Sequence, residues 1–289
     1  MRSSAFCPGH VSCVFEPMRS INDLSTGSRG FGIRLSLGST ATVEDRDDDT
    51  VRIYLDGSLS AAMITRMTVE MLAPGRGFDI TIHSDLPISQ GFGTSASGTI
   101  ATAIAVADIV GESRTKAFEA AHIAEVKGDG GLGDVSAIVA GRDVPVRTRP
   151  GFPPIGTVEN AGIKFNTLTV GVLGPKMETD SIIGDGNMVQ RIRRAGGRSM
   201  ERFLAEPTKD VLFEASNSFS METGLESPLI RKAIMRLNEA GYGAGMCMLG
   251  NSIFTDAPID KVRSILGRGH VNAFSCSSSG KEIKLIRRA

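Results

Sequence analysis

Leu86-Pro87-Ile88-Ser89-Gln90-Gly91-Phe92-Gly93-Thr94-Ser95-Ala96-Ser97 runs directly into the small-residue apolar segment Thr99 to Val110. Glycines two apart let a backbone close on a ligand without a Cβ in the way. The first turn of the helix that follows offers N–H groups with no intrahelical partner and the positive end of the helix dipole. The stretch therefore reads as a phosphate-binding loop, with the Thr94 and Ser95 hydroxyls placed for phosphate or its metal ion. On the glycines alone, a Gly/Ser loop capping a buried helix reads equally well. A P-loop is excluded, because no Gly-x-x-x-x-Gly-Lys-Ser/Thr occurs. Gly91-x-Gly93-x-x-Ala96 fits a loose dinucleotide fingerprint. However, seven residues separate the candidate strand Asp79 to His83 from Gly91, and a Rossmann turn has no room for them.

Pro87-x-x-x-Gly91-Phe92-Gly93-Thr94-Ser95-Ala96 resembles the second signature of the GHMP small-molecule kinases, P-x-x-x-G-L-G-S-S-A. Further segments follow the order of that family. Cys7-Pro8-Gly9-His10 resembles the first signature, with His10 where many members carry Lys. Gly243-Ala244-Gly245 resembles the third, with Met246 and Cys247 replacing the usual small residues. Gly27-Ser28-Arg29-Gly30-Phe31-Gly32 is similar to a segment of one branch, the archaeal pantoate kinases. On spacing it reads either as a loop closing on a small anion or as a hairpin turn with an exposed Arg.

The resemblance implies an α+β fold of two lobes. The N-terminal lobe, 1–155, would resemble ribosomal protein S5 domain 2; the C-terminal lobe, 156–289, would be a ferredoxin-like α+β unit. It further implies an ATP-dependent kinase acting on pantoate in coenzyme A synthesis, with Mg²⁺ as cofactor. ATP would be held by Pro87, Gly91, Gly93, Thr94, Ser95, Ala96 and Ser97. Ser95 and Glu125 would hold the metal, and Asp134 would stand beside the hydroxyl being phosphorylated, with Asp129 as its rival. Pantoate would be oriented by His10, Ser28, Arg29 and Arg147, with Arg149 as the rival of Arg147; a guanidinium fork matches a carboxylate. A homodimer is the assembly the resemblance allows for. The alternatives are a homoserine, mevalonate or mevalonate phosphate kinase of the same family, and a non-catalytic ligand sensor on the same fold.

Composition agrees with a small-molecule enzyme. Lys plus Arg equal Asp plus Glu at 32 each, which recommends neither nucleic acid nor an anionic membrane as partner. Met1 to Phe6 has no apolar signal-peptide core and no apolar run reaches spanning length, so a soluble cytoplasmic chain is expected. Cys7, Cys13, Cys247 and Cys276 form no paired pattern, and Cys7-x-x-His10-x-x-Cys13 lacks a fourth zinc ligand, so they read as free thiols. Pattern and breakers predict a short first strand turning at Pro8-Gly9 and a strand over 33–43. Helices are predicted over 60–72, 113–126, 181–195, 199–218 and 228–240. Four glycines in six positions after Lys127 put Asp129 and Asp134 on a folded loop.

Overall fold

The computed structural model describes residues 1–176 and 186–286. Its first half is built on a long antiparallel pair, β1 (Arg2–Met18) and β2 (Gly27–Asp45). β3 (Val51–Leu55), β4 (Ser58–Ser60), helix α1 (Met63–Leu72) and β5 (Phe78–Ser84) follow. β5 pairs with β2 and runs parallel to β3, so α1 is the crossover between β3 and β5. α2 (Thr94–Val110) lies against β1 and β2, and its Ala, Gly, Ser and Thr residues are buried nearly all round. Small side chains on every face let sheet and helices approach from several sides, which is why α2 lacks an amphipathic stripe. α3 (Arg114–Lys127), the short α4 (Asp134–Val139), β6 (Pro145–Arg149) and β7 (Thr157–Asn160) complete this half.

Pro8-Gly9 does not end a strand: both residues lie inside β1, where a register shift between Pro8 and His10 absorbs the proline. Gly27 to Gly32 is likewise part of β2, and its residues pair along β1 rather than forming a loop. Its glycines make room for neighbours. A Cβ at Gly32 would collide with the His10 ring, and one at Gly30 would lie 2.8 Å from Arg147 Nη2.

The second half opens with β8 (Leu168–Val172), then α5 (Gly186–Ala205), α6 (Lys209–Thr223) and α7 (Pro228–Glu239). β9 (Ala244–Cys247), β10 (Ser252–Thr255), α8 (Ile259–Leu266) and β11 (Asn272–Cys276) follow. The sheet order β11-β8-β10-β9, antiparallel throughout, is the ferredoxin-like arrangement with extra helices in its first crossover. The start of the helix expected over 181–195 lies outside the described residues. The helix does not stop at Gly196-Gly197, because Gly196 seats α5 on β1, with its Cβ position 2.8 Å from Phe15 O. The break comes instead at Pro207, after which Thr208 caps α6 by accepting from Val211 N.

The lobes are not cut cleanly at residue 156. β7 still belongs to the first sheet, and after β11 the chain returns to it, bridging Ser278 to Leu35 and adding β12 (Lys284–Leu285) beside β1. One apolar core runs through both halves: Phe31 stacks on Phe203 at 4.1 Å and Phe15 meets Phe219 edge-on at 5.3 Å. The β1–β2 pair thus has the second lobe on one face and α2 on the other. The cleft forms at the end of α2.

Candidate active site

The loop that precedes α2 is shaped by what touches it. Gly91 and Gly93 have φ of 76° and 62°, in the region that favours glycine. A Cβ on either would press on backbone from elsewhere, 2.7 Å from Met248 O and 2.8 Å from His10 O. His10 N donates to Phe92 O at 3.0 Å, and Phe92 is buried as an apolar plug. Ser252 Oγ donates to Gln90 O, so the turn between β9 and β10 buttresses the loop from the second lobe. That contact comes from residues 248–252, after the Gly243-Ala244-Gly245 segment. Gly243 and Gly245 themselves pack against Phe213 and Phe254.

No side chain caps α2. The N–H groups of its first turn therefore face the cavity without a helical partner, while Ser97 N already bonds Gly93 O. Ser95 is exposed and its Oγ donates to Glu125 Oε1 at 3.0 Å. Thr94 and Ala96 are buried, and Pro87 is half-buried at the start of the loop. Ser97, expected on the nucleotide, turns inward instead and bonds Ser39 Oγ at 2.7 Å.

Glu125, from the end of α3, is 1% exposed; its Oε2 accepts from Gly131 N at 2.9 Å. Burial, with the charge of Asp134 adding to it, pushes its carboxyl up to about 7. Asp134 is the first residue of α4 rather than part of a loop. Its side chain is 23% exposed, with Oδ1 2.8 Å from His10 Nδ1 and 3.5 Å from Ser12 Oγ. Burial works against its charge, but the His10 hydrogen bond, Arg147 and Ser12 outweigh it and hold the carboxyl below its ordinary value. Burial likewise lowers His10, against the pull of Asp134. A neutral imidazole beside a carboxylate donates through Nδ1–H and leaves Nε2 as an acceptor. The two neighbouring carboxyls thus have opposed shifts, Glu125 raised and Asp134 lowered. The glycine turn follows from them, because a Cβ at Gly130 would collide with Glu125 and one at Gly131 with Asp134.

Asp129 stands apart: it is 72% exposed and pairs with Arg19 at 2.6 Å on the rim. Arg147, in β6, is fully buried beside Asp134. Its Nε donates to Ser28 O at 3.3 Å, and Nη1 and Nη2 find no partner among the described residues. Arg149 is exposed. Ser28 lines the cavity, but Arg29 is not with it: strand alternation turns Arg29 away, and it pairs with Glu16 at 3.1 Å. His122, on α3, bonds the carbonyls of Asp23 and Thr26 and serves the fold.

His10, Ser28, Ser95, Glu125 and Asp134 border a cavity of about 300 Å³, whereas Arg147 lies behind its wall and does not line it. A second cavity of about 310 Å³ opens on the other side of Thr94-Ser95, walled by Leu55, Ala62, Met63, Ile64 and Ile88. Apart from the apolar end of α1, nothing in the residue pattern signals it. The fully buried Arg34 of β2 also escapes a sequence reading, because its neighbour His10 is fixed only by the β1–β2 register.

Residues 59–142 match the family described as GHMP kinases N terminal domain. The pantoate kinase of Thermococcus kodakarensis is 31% identical over 276 residues, 91% of each chain. The chain belongs to the GHMP kinases, in their pantoate kinase branch. The pantoate kinase of Methanocaldococcus jannaschii is 29% identical over 251 residues, 86% of this chain and 90% of its own. A solved structure described as a phosphotransferase related to the CoA biosynthesis pathway superposes with a TM-score of 0.89 at 28% identity, over 99% of both chains. Among the described residues, no helix of this GHMP kinase is long and apolar enough to cross a membrane.

Proposed function

We propose that the chain transfers the γ-phosphoryl group of ATP to the primary hydroxyl of pantoate, giving 4-phosphopantoate and ADP. The juxtaposition that carries this reading is Asp134, ionised and hydrogen-bonded to His10, on the cavity that meets the open N-terminus of α2. The loop from Gly91 to Ser95 would cradle the phosphates, and the apolar cavity beside it suits the adenine ring. On the other side, Ser28 would meet the pantoate carboxylate at the cavity wall, and the buried Arg147 behind Ser28 would supply the opposing charge; Arg29, paired with Glu16, has no part in holding it.

Ser95 and Glu125 fit Mg²⁺. They present two adjacent oxygens, and Glu125 is a buried carboxylate with no cationic partner among its bonded neighbours. Among the described residues no cluster of three metal-ligating side chains occurs. The two oxygens of Ser95 and Glu125 are the protein's share of the shell expected for an ion otherwise held by phosphate. Bound there, Mg²⁺ would neutralise charge on the phosphates. The chain's own part is positioning and proton transfer. The pantoate hydroxyl oxygen attacks the γ-phosphorus, the bond to the ADP oxygen breaks, and the hydroxyl proton passes to Asp134. We place the reaction in the cytoplasm, where ATP is available and thiols stay reduced; the four cysteines are free.

ATP turnover with a panel of hydroxy acids tests the reading. Pantoate should be phosphorylated with a far higher kcat/KM than homoserine, mevalonate or mevalonate phosphate. Preference for one of those would move the chain elsewhere in the superfamily, and no turnover with any would leave a ligand sensor.

A further inference from the structure

Arg34 lies directly opposite His10 in the β1–β2 register, and both side chains are wholly buried. Its Nη1 donates to Ser279 O at 2.6 Å, and its backbone is held on both sides, N to Asp143 O at 3.0 Å and O from Ser279 N at 2.8 Å. The returning segment after β11 thus clamps a guanidinium behind the active site, away from the cavity. Burying such a charge is costly, and an apolar side chain of similar volume could pack there without that penalty. The charge itself therefore needs a role.

We propose that Arg34 is a positioning residue: clamped opposite His10, its buried charge adds to burial in favouring the neutral imidazole that holds Asp134 as an unprotonated carboxylate facing the acceptor hydroxyl. The charged and titratable groups facing His10 are Asp134 from α4, Arg147 from β6 and Arg34 from β2. Facing Arg34 in turn are Asp143 and the Cys7 thiol, which burial pushes up to about 12 and so keeps neutral. Burial is the main influence against a positive charge on His10; Asp134 works the other way, and Arg147 and then Arg34 act in the same direction as burial. An imidazolium there would pair with Asp134 and make it a poorer proton acceptor. A neutral His10 leaves Nε2 as an acceptor, and the nearby guanidiniums, including the unpartnered Nε and Nη2 of Arg34, can only donate.

This inference rests on Asp134 as the proton acceptor, but its test needs no substrate. The imidazole nitrogens of ¹⁵N-labelled protein are followed between about pH 5 and 8.5, the range around the ordinary imidazole midpoint, in wild type, Arg34→Gln and Arg34→Lys. His10 should be neutral and protonated on Nδ1 at neutral pH in wild type and in Arg34→Lys. Arg34→Gln keeps a donor for Ser279 O without the charge, and should move the His10 midpoint upward from that of wild type. The acid limb of its kcat/KM profile should rise with it. An imidazolium at neutral pH in wild type overturns the proposal and requires no variant to fold. So does a His10 titration in Arg34→Gln that matches wild type. If pantoate is not phosphorylated while the titrations behave as stated, the substrate assignment fails and Arg34's action on His10 stands.

Discussion

Replacing Glu125 by Gln should stabilise the ligand-free protein at about pH 8, above the raised carboxyl midpoint, while destroying its use of Mg·ATP. The side chain is buried, and its carboxyl is raised from 4.5 to about 7. The folded form therefore keeps a proton between those values that the unfolded chain has lost. The stability this group contributes is fully present below about pH 4.5 and falls as pH rises through about 7, because the folded state binds more protons across that window. A rise of that size corresponds to ~3 kcal/mol of destabilisation once the pH is above both values. Gln has the same shape, can accept from Gly131 N and donate to Ser95 Oγ, and carries no charge. For a chain of this size, ~3 kcal/mol is about 6 °C in Tm. Thermal unfolding at about pH 8 without nucleotide should show the Glu125→Gln protein melting about that much above wild type, and the gap should shrink as pH falls and close below about pH 4.5. Added Mg·ATP should raise the wild-type Tm and leave the variant unmoved. A variant that melts at or below wild type at the higher pH would show that the buried carboxylate is already compensated, and would remove the argument for a cation beside it.

Ser95→Ala should raise the KM for Mg·ATP with at most ~1 kcal/mol of lost stability, since its hydroxyl bonds Glu125 rather than capping α2; equal losses in Tm and activity would make it a structural contact. Asp134→Asn should lower kcat by roughly 10²- to 10⁴-fold. Asp129→Asn, which loses only an exposed ion pair, should leave kcat within a few-fold, and the reverse order would mean that the base is Asp129. Arg147→Met should raise the KM for pantoate and spare that for ATP, whereas Arg29→Ala should change neither appreciably; a pantoate defect in Arg29→Ala would return that residue to the substrate.

What was legible in the sequence was local. The glycine loop, the helix behind it and the Glu125–Asp134 spacing of the candidate site all fall in the one stretch from Pro87 to Asp134, and their side chains show directly in the sequence. The glycine-rich opening misled for a physical reason. Pro8-Gly9 and Gly27 to Gly32 carry the composition of turns, and the propensity rules that mark breakers see only local backbone freedom. In β1 and β2 the same residues are required by what lies across from them. The helix break was misplaced in the same way, because Gly196 answers to Phe15 of β1 while Pro207 is the true stop.

Several of the site's other glycines obey that logic. Gly32 yields its Cβ space to His10, Gly30 and Gly133 to Arg147, Gly130 to Glu125 and Gly131 to Asp134. Each has a side chain of the candidate site in or against the volume a Cβ would fill. The partners of Gly32 and Gly30 come from different elements, so the sequence displays the space without its occupant. Arg34 is the converse case: its side chain is conspicuous, but its neighbour is set by a register that the bulge at Pro8 shifts. Only once β1 and β2 are aligned do His10, Arg34 and Arg147 gather behind Asp134. The charge balance that keeps its carboxylate unprotonated then becomes a property of the sheet rather than of any motif.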